Sequence, residues 1–176
     1  MNSRVLFALA VVLAASPTIA AAQAPRFSIQ AAAGTDIRDG GDNQSLSFGF
    51  SPDERWDVLI GAQRIHLPTK VSQFGATRGG TVTFFGGEVR FLPFTLSRFS
   101  PYLLASLGRG KSRLNVDETF PNPVTNDAFL LFFGGGVHVP VTPRFVLFSD
   151  LRFGIWGERD VIVLNTPVRG GVAWRF

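Results

Sequence analysis

Val168-Arg169-Gly170-Gly171-Val172-Ala173-Trp174-Arg175-Phe176, the last nine residues of the chain, alternate with a period of two. Val168, Gly170, Val172, Trp174 and Phe176 fall on one parity; Arg169, Gly171, Ala173 and Arg175 fall on the other. Such alternation is the signature of a strand with two unlike faces. The apolar face would normally be packed inward, but the same alternation recurs upstream, and in two of those stretches it places charge on the other face. Ser45 to Ser51 sets Leu46, Phe48 and Phe50 against Ser45, Ser47, Gly49 and Ser51. Thr81 to Phe91 opposes Phe85, Gly87, Val89 and Phe91 to Gly86, Glu88 and Arg90, and Phe145, Leu147, Leu151 and Phe153 oppose Arg144, Asp150 and Arg152. In a soluble sandwich the charged side would be solvated and the rings would form the core. In a membrane barrel the rings meet lipid and the charges turn into the lumen.

Four further stretches complete a count of eight. Phe27, Ile29, Ala31 and Ala33 alternate with Ser28, Gln30, Ala32 and Gly34; Trp56, Val58, Ile60 and Ala62 alternate with Asp57, Gly61 and Gln63, with Leu59 as an apolar exception. In Tyr102 to Arg109 the Leu103, Ala105 and Leu107 side is read as outward. Phe129, Leu131, Phe133, Gly135 and Val137 share a face, while Leu130 and Phe132 make the opposite face apolar too, so a strand buried on both sides fits that run equally well. Links after the second, fourth and sixth strands are shorter: 52–55, 92–101 and 140–143. Those after the first, third, fifth and seventh are longer and polar: 35–44, 66–80, 111–127 and about 155–165. Short turns on one rim and long loops on the other are expected of a transmembrane barrel. Phe27, Phe50, Trp56, Phe91, Phe145, Trp174 and Phe176 then gather at the short-turn rim as an aromatic girdle.

The N-terminus supplies an address. A positive start through Arg4, an apolar run from Val5 to Ala15 and small residues at Ala20-Ala21-Ala22 have the three-part form of a signal peptide, cleaved after Ala20 or Ala22. The run is too short to span a bilayer as a helix. The expected organisation is therefore a signal over 1–22 and a single barrel domain over 23–176. With no cysteine, neither a disulfide nor a thiolate metal site is available. Loss of Arg4 brings the net charge from +4 to +3, too weak for nucleic-acid binding.

The terminal strand resembles the C-terminal recognition signal of bacterial outer-membrane barrels. With Pro101-Tyr102 and the stretch from Gly134-Gly135-Gly136-Val137 to Asp150-Leu151-Arg152-Phe153, the mature chain is similar to the small OmpA-like, OmpX-like and OmpW-like barrels. The resemblance implies an all-β, eight-stranded antiparallel up-and-down transmembrane β-barrel in the cell outer membrane. It also implies that Val172, Trp174 and Phe176 are read by the barrel-assembly machinery.

Candidate functional residues fall into two groups. Glu88, Arg90, Asp150, Arg152, Arg169 and Arg175 are expected to fill the lumen as an ionic network, since buried charges need partners. Arg109, Lys111 and Arg113 alternate at the outer end of the fifth strand, where arginine can engage lipopolysaccharide phosphates. No catalytic, metal or cofactor residues are expected. His138 falls at the short-turn end, His66 is followed by Leu67-Pro68 with Ser72 as its nearest serine, and Thr35-Asp36 with Asp39-Gly40-Gly41-Asp42 lacks the full calcium-loop pattern. The expected function is structural or surface-interacting. The alternatives are a narrow conduit for small or hydrophobic solutes, which the OmpW-like resemblance implies, and a soluble lipocalin-like binder with every side chain inverted.

Overall fold

The computed structural model describes residues 27–38, 40–72, 75–77, 79–94, 98–116, 121–122, 124–158 and 161–176. The signal segment 1–22, Asp39 and the Ser72 side chain lie outside the described residues. Eleven strands follow in order: β1 (Phe27–Asp36), β2 (Asp42–Phe50), β3 (Trp56–Leu67), β4 (Lys70–Ser72), β5 (Gly75–Thr77), β6 (Gly80–Phe91), β7 (Ser100–Leu114), β8 (Val124–Pro140), β9 (Phe145–Glu158), β10 (Val161–Asn165) and β11 (Pro167–Arg175). No helix occurs among the described residues.

Antiparallel ladders run β1–β2–β3–β6–β7–β8–β9–β11 and return from β11 to β1, closing an eight-stranded barrel. β10 pairs with the outer end of β9 in the same register that β11 keeps lower down, so β10 and β11 form one wall strand interrupted at Thr166. β4 and β5 form a small separate hairpin within the β3–β6 link. Paired residues followed once around read Ser28, Gly49, Leu59, Glu88, Ser106, Phe132, Gly154 and Asn165. Carried past its last pair, Asp36 with Pro167, the β1–β11 register sets Asn165 opposite Arg38, ten residues on from Ser28. This shear tilts the strands, typically by about 35–45°. Each rung therefore climbs toward the outer end as it passes from β1 to β9.

The side chains are inside-out for water. Leu46, Ile60, Phe85, Leu107, Phe133 and Trp174 are exposed on the outer surface, whereas Gln30, Arg90, Asp150, Arg152 and Arg169 are buried. The outward assignment of the Leu103 parity holds, with Leu103 and Leu107 exposed and Tyr102 and Leu104 buried. At the short-turn end, Phe27 stacks with Phe176 and packs on Phe50, and Trp56 packs on Phe91 at 4.8 Å between ring centroids. These contacts build the expected girdle. The soluble lipocalin-like reading fails here, because a barrel in water would leave this greasy belt unsolvated.

Two expectations are corrected. The loops of the far rim are shorter than the polar stretches suggested: β7 and β8 extend to Leu114 and from Val124, and the 155–165 link is strand on both sides of positions 159–160. On β7 and β8 the ladder continues after the outward residues stop being apolar, because polarity marks where a strand leaves lipid rather than where its pairing ends. The lumen is also not uniformly polar. Leu104, Val146, Phe148 and Ala173 cluster on one side of the charged residues, and Val82, Phe84, Leu130, Phe132 and Trp156 cluster on the other. Leu130 and Phe132, which blurred the sixth strand's pattern, are the bulk of this outer plug.

Candidate functional site

Within the lumen, alternate residues of β6, β7, β9 and β11 bring together a layer of charge. Asp150 is its hub. Arg152 donates Nε to Asp150 Oδ1 at 2.8 Å and Nη2 to Oδ2 at 3.1 Å, and Arg169 donates Nε and Nη2 to the same two oxygens at 3.0 Å each. Two planar forks thus share one carboxylate, the geometry in which arginine binds most strongly. Tyr102 adds its hydroxyl to Oδ2 at 3.1 Å. Glu88 accepts from Arg152 Nη1 at 2.6 Å and from Arg90 Nε at 2.7 Å, which joins β6 to β9 across the barrel. Arg169 Nη1 also reaches Ser45 Oγ at 3.0 Å, extending the layer to β2.

Arg90 is held by more than charge. Its guanidinium lies 4.9 Å from the Tyr102 ring centroid and 4.8 Å from that of Phe148, within cation–π range of both. Its Nη1 meets His138 Nε2 at 3.0 Å. Since guanidinium has no acceptor, His138 Nε2 must be the unprotonated nitrogen, so the ring is neutral with its proton on Nδ1. Small residues on the wall admit the large ones. A Cβ at Gly136 would fall 2.6 Å from the Tyr102 hydroxyl, and one at Gly171 would fall 2.4 Å from the Phe148 ring.

Five of the six predicted lumenal residues therefore form one network. Arg175 does not join it: its Nη2 is 4.0 Å from Asp57 Oδ2, at the short-turn end, and its side chain is partly exposed. Asp57 accepts from Ser51 Oγ at 2.5 Å and lies 4.0 Å from His138 Nδ1. Sequence reading missed Tyr102, His138, Asp57 and Ser45 as members of these polar clusters. Each is on the inward parity of its strand, a signal that was present but attached to no partner. Three guanidinium groups against two carboxylates leave the central layer with one net positive charge.

Beside this layer lies a lumenal cavity of about 40 Å³, bordered by Gln30, Ser45, Gln63 and Ser106. Gln30 Oε1, Gln63 Nε2 and Ser106 Oγ are buried without a protein partner. At ~10–15 Å³ for each water, the cavity takes about three, which could satisfy these groups. Among the described residues no group of three or more potential metal ligands occurs.

On the outside, Arg109, Lys111 and Arg113 are exposed on the parity of Leu103 and Leu107, immediately beyond the apolar belt. Val172, Trp174 and Phe176 are exposed on the outward parity of β11, which closes the barrel against β1.

No protein-family model matches the sequence, and no curated protein does. Solved structures do. Neisserial surface protein A superposes with a TM-score of 0.62 at 18% identity, over 86% of this chain and 95% of that one. The N-terminal β-barrel domain of Pseudomonas aeruginosa OprF gives 0.60 at 14% identity, over 86% and 98%. Ail, the attachment invasion locus protein of Yersinia pestis, solved in complex with the heparin analogue sucrose octasulfate, gives 0.53 at 16% identity, over 86% and 97%. Closed ladder, inverted side chains and these neighbours together make the chain an eight-stranded β-barrel of the kind that spans bacterial outer membranes.

Proposed function

We propose that this barrel is a non-enzymatic surface protein whose lumen is a structural core and whose interactions are made outside it. The observation that carries this reading is the filling of the lumen by an apolar layer, a charged layer with its hydrogen bonds made, and a second apolar layer. The cavity of about 40 Å³ beside the charged layer holds no more than a few waters. Chemistry is also poorly served, since His138 Nε2 is occupied by Arg90 and Ser51 bonds to Asp57 rather than to a histidine. What faces outward is an apolar belt, then the taller strands β7, β8 and β9 with a basic edge at Arg109, Lys111 and Arg113. That edge contacts outer-leaflet phosphates, lipopolysaccharide among them. Ail, with its sulfated ligand, is a precedent in this fold for binding polyanions. The closing strand, through Val172, Trp174 and Phe176, serves as the signal for the assembly machinery.

Planar-bilayer recording tests the choice between surface protein and conduit. The reconstituted barrel should show no stepwise conductance above the bare bilayer in molar potassium chloride. Reproducible unitary steps, abolished when the protein is heat-unfolded before reconstitution, would establish the conduit instead.

A further inference from the structure

Beyond the basic edge of β7, the outer rim carries Arg64, which faces that edge across β6. Arg64 is exposed on β3, on the outward parity of Val58, Ile60 and Ala62. It pairs in register with Thr83 of β6, which pairs in turn with Lys111 of β7. Phe85, one outward position closer to the membrane centre, pairs with Arg109. Because rungs climb from β3 toward β7, Arg109 sits one outward position back on its strand and comes to about the height of Arg64. The two arginines flank β6 at the same edge of the apolar belt. Strand spacing and rise put their Cα atoms about 12 Å apart, so each side chain needs to cover roughly half the gap.

Between them the surface changes from grease to polar in one step. Phe85 and Leu107 are 63% and 68% exposed below the arginines, and the exposed Thr83 lies above Phe85. Arg64 also borders a groove of about 210 Å³ with Gln44, Asp42 and His66. Among the described residues neither Arg64 nor Arg109 makes an ion pair, although Asp42 and Asp127 are on the same rim. Arg64, Arg109, Lys111 and Arg113 outnumber those two acids. The corresponding outward positions of β9 and β10, Ile155, Gly157, Ile162 and Leu164, are uncharged.

From this juxtaposition we infer that Arg64 and Arg109, on either side of Thr83, form a clamp for the phosphate of an outer-leaflet lipid, with the acyl chains lying on Phe85 and Leu107. Two guanidinium forks supply the paired donors that a phosphate accepts, and the threonine hydroxyl supplies a third donor between them. The inference rests on the proposed outward, lipid-facing reading of this rim and assigns it a specific ligand chemistry.

Native mass spectrometry of the full barrel purified from envelopes tests it, with diphosphorylated lipid A and phosphatidylglycerol as probes. In Arg64→Gln/Arg109→Gln, adducts of at least one probe should fall about tenfold relative to the unaltered protein, as expected for losing two charge-assisted contacts. The probe that falls identifies the source of the phosphate. Arg98→Gln, an exposed cation at the opposite rim, should leave both unchanged. Unchanged adducts in the double variant, or an equal fall in Arg98→Gln, would overturn the clamp. Heat-modifiable migration on a detergent gel is read in parallel: a chain that stays soluble without detergent would remove the lipid-facing reading itself, whereas a heat-modifiable barrel with unaltered adducts removes only the clamp.

Discussion

Asp150 accepts five hydrogen bonds from three side chains. Replacing it with alanine leaves Arg169 with only Ser45 and leaves Arg152 with only Glu88, both inside a closed wall. Stranding buried charge in this way costs about 3–5 kcal/mol. Arg152→Ala is less severe, because Glu88 keeps Arg90 and Asp150 keeps Arg169. Arg175→Ala should cost at most ~1 kcal/mol, as its partner is distant and its side chain partly solvated. Urea titration followed by the gel shift of the folded barrel should rank the losses Asp150, then Arg152, then Arg175. An Arg152→Ala barrel as resistant as the parent would count against the network as a stabilising element. The sequence revealed which residues turn inward, since parity alone decides that. It did not reveal partners, because Glu88 and Arg152 are 64 positions apart and meet only after the sheet has closed. Arg175 was grouped with the others for the same reason: parity gives its face but not its height in the lumen.

Strands were legible wherever one side touched lipid. All eight wall strands were found, and the observed strands extend the predicted ones mostly at the outer end, where outward residues such as Arg64 and Lys111 turn polar, inward ones such as Ile65 and Trp156 turn apolar, and the period-two contrast is lost. The break between β10 and β11 is a consequence of Pro167, which has no N–H to give the ladder. Asp36 spans that break: its Oδ2 accepts the Thr166 N–H at 2.6 Å and its Oδ1 accepts the Arg38 N–H at 2.8 Å, while Ile37 donates its N–H to the Thr166 carbonyl at 3.1 Å. Asp36→Ala removes two charge-assisted bonds and should loosen this corner without opening the wall. Amide exchange should then rise at least tenfold for Thr166 and its neighbours in β10, the equivalent of about 1.4 kcal/mol, yet stay unchanged for Val146 to Phe148 lower on β9. Equal acceleration at both places would show instead that Asp36 supports the barrel as a whole.

For the whole molecule, closure depends on the pairing of β11 with β1, and its final residue bonds at both backbone atoms to Phe27: Phe176 N to Phe27 O at 2.9 Å and Phe27 N to Phe176 O at 3.3 Å. These bonds do not involve the Phe176 ring, which stands about half exposed on the lipid side. Removing the ring leaves the ladder intact and gives up its contacts with Phe27 and Phe48, so the finished barrel should lose only about 1–2 kcal/mol. The resemblance of the last strand to an assembly signal implies a much larger effect on biogenesis. Phe176→Ala should therefore lower the amount of heat-modifiable barrel in the envelope several-fold, while the same variant refolded from urea into detergent micelles still folds, with a midpoint no lower than that of Phe153→Ala. Phe153→Ala, an outward aromatic in the middle of β9, serves as the comparison, since it removes an equally exposed ring without touching the terminal strand. A fall confined to Phe176→Ala assigns the ring to recognition. Equal falls in both variants would mean that lipid contact alone limits assembly, and unchanged levels in both would remove the signal reading while leaving the closed barrel as it stands.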